Sequence, residues 1–160
     1  MSPTSRRRHA LGQHFLSNLA AAGRMVELFS PVAGETIVEI GPGRGVLTGL
    51  LLDAGARVIA IEIDRELSAG LKLRFADHEG FRLIEADVLR CDLSELTTGG
   101  PARVLANLPY AITGEVLMRL FRSSGALTDM MLMLQREVVN RIVAPPGGRI
   151  YGSLSVLAQY

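Results

Sequence analysis

The amino-acid sequence predicts an α/β fold with a mostly parallel sheet covered by helices on both faces. Three observations point there. Short β-branched runs alternate with segments of helical spacing, the pattern of successive βαβ units. A glycine-rich stretch stands directly between the first strand and its helix. Polar residues capable of chemistry fall just after strands, where open α/β sheets collect ligands.

The elements follow in order. Phe15 and Leu16 lead into a helix capped near Ser17 or Asn18. Residues 36–40 (TIVEI) form a short buried strand ending at glycines, and 46–52 an apolar helix closed by Gly55. Residues 57–63 (RVIAIEI) read as a second strand, and 65–75 as a second helix with Leu67, Leu71 and Phe75 on its apolar side. Residues 81–85, 102–106 and 130–134 are three further strands. Between the last two, residues 113–121 have helical spacing, with Val116, Leu117 and Leu120 on one side. Gly and Pro mark loops at 97–101 and 144–148, and the closing SLSVLAQY reads as a helix with no strand after it.

Composition narrows the class. With 160 residues, one domain is expected; 48% hydrophobic and 21% charged residues exclude a disordered chain. A net charge of +1 gives no overall field that would announce nucleic-acid binding. The single cysteine, Cys91, rules out an intrachain disulfide and fits a reducing compartment. The first residues lack the apolar run of a signal peptide, and no stretch is long enough to cross a bilayer, so a soluble, cytoplasmic protein is expected. No metal site is expected, because His9, His14 and His78 lack ligand spacing.

The local motif with the clearest chemistry is Glu39-Ile40-Gly41-Pro42-Gly43-Arg44-Gly45. Gly41 and Gly43 let the backbone turn tightly and approach a ligand, with helix amides facing it. The G-x-G-x-G spacing differs from the G-x-G-x-x-G of dinucleotide enzymes, and Glu39 precedes it. A carboxylate there would repel a pyrophosphate and attract the amino group of a methionine moiety, which favours S-adenosylmethionine over NAD. Glu62, at the end of the second strand, can accept from both hydroxyls of a ribose. An acid among Ile59, Ile61 and Ile63 requires such partners, and Ile63 is counted in the cofactor site. Asp64 is a candidate cap for the next helix. Asp87 either accepts from an adenine amine, with Val88 packed on its ring, or caps a turn.

Asn107-Leu108-Pro109-Tyr110 follows the fourth strand. An aromatic amine is a poor nucleophile because its lone pair is delocalised. The Asn107 side-chain oxygen and the Leu108 carbonyl could accept from such an amine and aim its lone pair at an incoming methyl group. Pro109 would fix the loop, and Tyr110 would stack on an extruded base. Asn107 also counts among the cofactor residues.

Together these segments resemble the KsgA-type ribosomal RNA adenine dimethyltransferase family. Gly12-Gln13-His14-Phe15-Leu16, EIGPGRGVLT and ANLPY occur in that family's order and at similar separations. The resemblance implies a Rossmann-like methyltransferase core, S-adenosylmethionine as donor and S-adenosylhomocysteine as product. It implies adjacent adenines near the 3′ end of small-subunit ribosomal RNA as substrate, and the pre-ribosomal small subunit as partner. It also implies that Gln13, His14 and Leu16 lie at the cofactor site. The related macrolide-resistance methyltransferases share N-x-P-Y but look more like Q-N-F-L at the first motif, so His14 points to the small-subunit enzymes. Arg6, Arg7 and Arg8 form a basic arm that either follows RNA phosphates or is a solvated tail.

The family pattern continues with further strands, a proline-rich loop bearing an aromatic, and a smaller helical domain. The chain is therefore expected to be one incomplete catalytic domain, residues 1–160, truncated at its C-terminal end. A large-subunit methyltransferase, a DNA adenine methyltransferase and a non-catalytic ribosome-assembly factor remain alternatives. A nicotinamide oxidoreductase is a further one, opposed by Glu39, the glycine spacing and the Asn107–Tyr110 motif.

Overall fold

The computed structural model describes residues 18–97, 100–108 and 110–159, the side chains of Tyr110 and Ser124 excepted. Helix α1 (Leu19–Phe29) starts where the Asn18 side chain accepts from the Ala21 amide at 3.1 Å. Strand β1 (Thr36–Ile40), helix α2 (Val46–Asp53), strand β2 (Arg57–Glu62), helix α3 (Arg65–Arg74) and strand β3 (Phe81–Glu85) follow. After the one-turn helix α4 (Leu93–Leu96) come β4 (Ala102–Asn107), α5 (Thr113–Arg122), β5 (Leu127–Met133), α6 (Arg136–Ile142) and α7 (Ser153–Gln159).

The strands form one sheet of order β3-β2-β1-β4-β5, and every described pairing is parallel. The chain builds outward from β1 to β3, then returns to lay β4 on the other side of β1. That reversal opens a crevice between the carboxyl ends of β1 and β4, the place where such sheets bind ligands.

Two-residue periodicity assigns the layers. Ile37, Val58, Ala60 and Leu105 face α1 and α2, packing with Ala22, Met25, Phe29, Leu47 and Leu51. Val38, Ile40, Ile59, Ile61, Val104 and Ala106 face the opposite side, against Leu93 and the Val116 and Leu120 stripe of α5. Each buried aliphatic side chain contributes about 1.5–3 kcal/mol, so the two layers carry most of the stabilisation.

The connections are chemically specific. Gly45 opens α2 at φ 77°, and a Cβ there would lie 2.8 Å from both Leu71 and Phe75 of the α3 segment. Only glycine lets the turn and α3 close on each other. Asp64 caps α3, accepting from the amides of Glu66 at 2.8 Å and Leu67 at 3.2 Å, an arrangement worth about 1 kcal/mol. At the opposite end of the sheet Arg103 on β4 ties four segments together. Its guanidinium lies 3.8 Å from the Phe29 ring centroid and donates to the Phe29 carbonyl, and it pairs with Glu35 and Asp129.

Several elements differ from the sequence reading, which also has no counterpart for the one-turn helix α4. Strand β2 stops at Glu62, which leaves Ile63 50% exposed instead of packed beside the acid. Strand β5 begins at Leu127, not at residue 130, because Asp129 pairs with Arg103 in register and through an ion pair. Helix α6 has no buried residue, so no apolar stripe announced it. Among the described residues no helix is long and apolar enough to cross a membrane.

Candidate active site

The carboxyl ends of β1, β2 and β4 meet around the glycine turn. Gly41, Gly43 and Gly45 all have positive φ, at 68°, 58° and 77°. The Gly41 amide donates to the Ile61 carbonyl at 3.0 Å, anchoring the turn to β2. On the other side, a Cβ on Gly41 would stand 4.0 Å from the Asn107 carbonyl oxygen, so bare backbone faces the end of β4. From above, Arg74 donates to the Arg44 carbonyl at 2.7 Å while its guanidinium lies over the Phe75 ring.

Glu62 is only 3% exposed. Its Oε2 accepts from the Gly43 amide at 3.2 Å, and its Oε1 from the Asp64 amide at 2.9 Å. Burial pushes this carboxyl upward from its ordinary range, and the amides oppose that rise. A carboxylate offers about four lone-pair sites; the Gly43, Asp64 and Ile63 amides draw on them and leave acceptor capacity for a ligand hydroxyl.

Glu39 lies on the α1–α2 side of β1 and is 1% exposed. The Thr48 hydroxyl donates to its Oε2 at 2.6 Å. Burial, with a smaller push from the Glu62 charge, raises its pKa to about 7; the Thr48 hydroxyl and amide pull the other way. The site thus holds two buried acids, one poised to change charge near neutrality.

Asp87 caps a 3-10 turn (Val88–Arg90), its Oδ1 accepting from the Leu89 amide at 3.0 Å, and pairs with Arg90 at 3.9 Å. Val88 is buried in the core layer shared with Ile61 and Val116. Asn107 ends β4 half-buried, opposite Met133. Leu108 is buried, and its amide donates to the Met133 carbonyl at 3.4 Å. The backbone then enters a 3-10 turn (Tyr110–Ile112) that delivers the chain to α5. Among the described residues, no group of three or more His, Cys, Asp or Glu could hold a metal ion. An open hollow of about 600 Å³ lies elsewhere, between Leu89, Asp92 and the Gly114–Ser123 side of α5, and shares no residue with this constellation.

The family described as Ribosomal RNA adenine dimethylase matches residues 4–160. The chain belongs to that family. It is 49% identical over 150 residues to the Ribosomal RNA small subunit methyltransferase A of Acidobacterium capsulatum, covering 93% of this chain and 53% of that protein. A dimethyladenosine transferase from Plasmodium falciparum shares the fold at a TM-score of 0.78 and 25% identity, covering 91% of this chain and 52% of that one. The 23S rRNA methyltransferase ErmE superposes at a TM-score of 0.69, also 25% identical, covering 80% of this chain and 50% of that one. The chain spans about half the length of the curated relatives it matches.

For this dimethylase-family chain, the structure brings Gly41, Gly43, Glu39, Glu62 and Asn107 to the adjoining carboxyl ends of β1, β2 and β4. Asp87 and Val88 sit past the end of β3, three strands from β4, with Asp87 capping a turn and Val88 facing the core. Gln13, His14, Leu16, Pro109, the Arg6, Arg7 and Arg8 arm and the Tyr110 side chain lie outside the described residues. Sequence reasoning missed Thr48 and Arg74. A threonine in the apolar VLTGLLLD helix was the available signal for the first; Arg74 had none, since its contact depends on how α3 packs.

Proposed function

We propose that this chain is the cofactor-binding part of an S-adenosylmethionine-dependent methyltransferase acting on N6 of adjacent adenines near the 3′ end of small-subunit ribosomal RNA. The observation that carries the reading is the juxtaposition at the sheet's switch point. A glycine turn hydrogen-bonded to Glu62 faces, across bare backbone, the strand end that bears Asn107.

The residues fit the cofactor. Glu62 keeps acceptor capacity for a ribose hydroxyl beyond its backbone amide partners, and Glu39 puts a buried carboxylate near the turn for a cationic amino group. A pyrophosphate, by contrast, would meet two buried acids, which argues against a dinucleotide. When bound, S-adenosylmethionine supplies an electrophilic methyl group on a sulfonium.

The chain's own residues position the acceptor. The Asn107 side-chain oxygen and the Leu108 carbonyl accept from the adenine amine, which draws the nitrogen toward tetrahedral geometry and frees its lone pair. The hydrogen bond that the Leu108 amide donates to the Met133 carbonyl, with the buried Leu108 side chain, holds that strand end in place. Tyr110 stacks on the extruded base, worth about 1–3 kcal/mol, against an unstacking cost of a few kcal/mol. Holding the reactants at near-attack distance supplies much of the acceleration.

Likeness to the 23S enzyme keeps a large-subunit target as a second reading. The 49% identity to a small-subunit methyltransferase favours the first. Titration calorimetry with S-adenosylmethionine, with NADH as control, tests the cofactor. Transfer assays on undermethylated 30S and 50S particles test the substrate. Selective binding with methylation of 30S supports the proposal, methylation of 50S transfers it to the second reading, and binding without transfer to either leaves a non-catalytic assembly factor.

A further inference from the structure

Helix α2 reads VLTGLLLD, and Thr48 is its one hydroxyl-bearing residue. It is 0% exposed, yet a valine would fill the same space without a hydroxyl to desolvate. The hydroxyl reaches Oε2 of Glu39 at 2.6 Å, within the short range of charge-assisted hydroxyl–carboxylate bonds. The Thr48 amide, one of the unpaired N–H groups of the first helical turn, also stabilises the carboxylate. Gly45 offers α2 no side-chain cap, so Glu39 takes that place from the neighbouring strand.

Resting on the S-adenosylmethionine reading above, we propose that Thr48 is a positioning residue: it clamps the Glu39 carboxylate beside the glycine turn, set to receive the amino group of the cofactor's methionine part. The surroundings make the clamp consequential. Among the described residues, α1 brings only Ala22, Met25, Val26 and Phe29 to this layer, and β4 pairs Leu105 with Glu39. Strand β2 contributes Glu62, a like charge, and α2 contributes Thr48. The hydroxyl therefore helps decide how much of Glu39 is ionised near pH 7, and an ionised Glu39 is the form that attracts an ammonium group.

Calorimetric titration of the whole chain with S-adenosylmethionine between pH 5.5 and 8 tests this, with 5′-methylthioadenosine as the probe lacking the amino-acid part. Wild-type affinity for S-adenosylmethionine is expected to fall as pH drops through about 7. In Thr48→Val that transition moves up by about one pH unit, giving a loss of roughly three- to tenfold at pH 7. The ligand's amino group titrates alike with both proteins, so the difference reports Glu39. Thr48→Ser is expected to restore the wild-type profile, and methylthioadenosine affinity to stay unchanged throughout. Equal loss for both ligands, or an unshifted profile, overturns the clamp. Should Thr48→Val not fold, Glu39→Gln is expected to flatten the profile, and an unchanged profile there overturns it equally. A folded wild-type chain that binds methylthioadenosine and S-adenosylmethionine with no pH transition sinks the clamp alone. One that binds neither sinks the cofactor reading and the clamp with it.

Discussion

The Gly43 amide donates to Oε2 of Glu62 across 3.2 Å, so the turn after β1 and the acid that ends β2 form a single unit. A change at either partner is felt by the other, because a buried acceptor that loses its donor bears the full desolvation cost.

Glu62→Ala should therefore weaken S-adenosylmethionine binding well beyond RNA binding. Hydrogen bonds to a charged group contribute about 1.5–3 kcal/mol, which corresponds to a loss of roughly ten- to a hundredfold. Calorimetry with the cofactor, beside filter binding of ribosomal RNA, compares the two; a larger loss on the RNA side would reassign Glu62.

Asn107→Ala should leave cofactor affinity nearly intact and lower the methyl-transfer rate by about a hundredfold or more, the scale of losing one transition-state hydrogen bond. Single-turnover transfer at saturating cofactor is the measurement. Loss of cofactor affinity equal to that of Glu62→Ala would remove the division of labour between the two strand ends.

Gly45→Ala should lower the thermal midpoint by several degrees. The substitution carries the roughly 1–2 kcal/mol of a left-handed residue, plus the collision of its Cβ with Leu71 and Phe75 at 2.8 Å. Gly114→Ala is the control: a Cβ there meets nothing within 4 Å, and no such loss is expected. Comparable destabilisation in both would mean that the α3 contact does not govern the turn.

Stability should also depend on Glu39. Its folded pKa of about 7 lies above the ordinary 4.5, so the native state binds the proton more tightly than the unfolded chain. Its favourable contribution is complete below about 4.5 and is lost as pH rises through about 7. The shift corresponds to about 3 kcal/mol. Urea unfolding of wild type and Glu39→Gln at pH 5 and pH 8 measures it: the wild type should lose ground to the variant at the higher pH. A constant gap between them would contradict the shift.

Much of the architecture was legible because its causes are local. The β-branched runs of β1 and β2, the glycine turn between β1 and α2, and the caps at Asn18 and Asp64 all depend on neighbours within a few residues. The same holds for the order of Glu39, Glu62 and Asn107 along the chain, each at or near the end of a strand.

Other features required the assembled sheet. Thr128 and Asp129 interrupt the apolar run of β5, and only pairing with β4, through Arg103, makes them strand. Asp87 reads as ligand or cap in the sequence, and only the folded chain shows its Oδ1 accepting from the Leu89 amide at the turn Val88–Arg90. Ile63 belongs with Ile59 and Ile61 by alternation, but β2 ends one residue earlier. The Thr48–Glu39 bond joins a helix to a strand through a register that no local pattern encodes. Which elements form, and which polar residues end the strands, follow from local pattern, since propensity and periodicity act over short range. Strand order, the crevice beside β1 and the partners of Glu39 and Glu62 required the assembled fold, because a buried acid is costly unless it finds partners, and several of those come from distant chain.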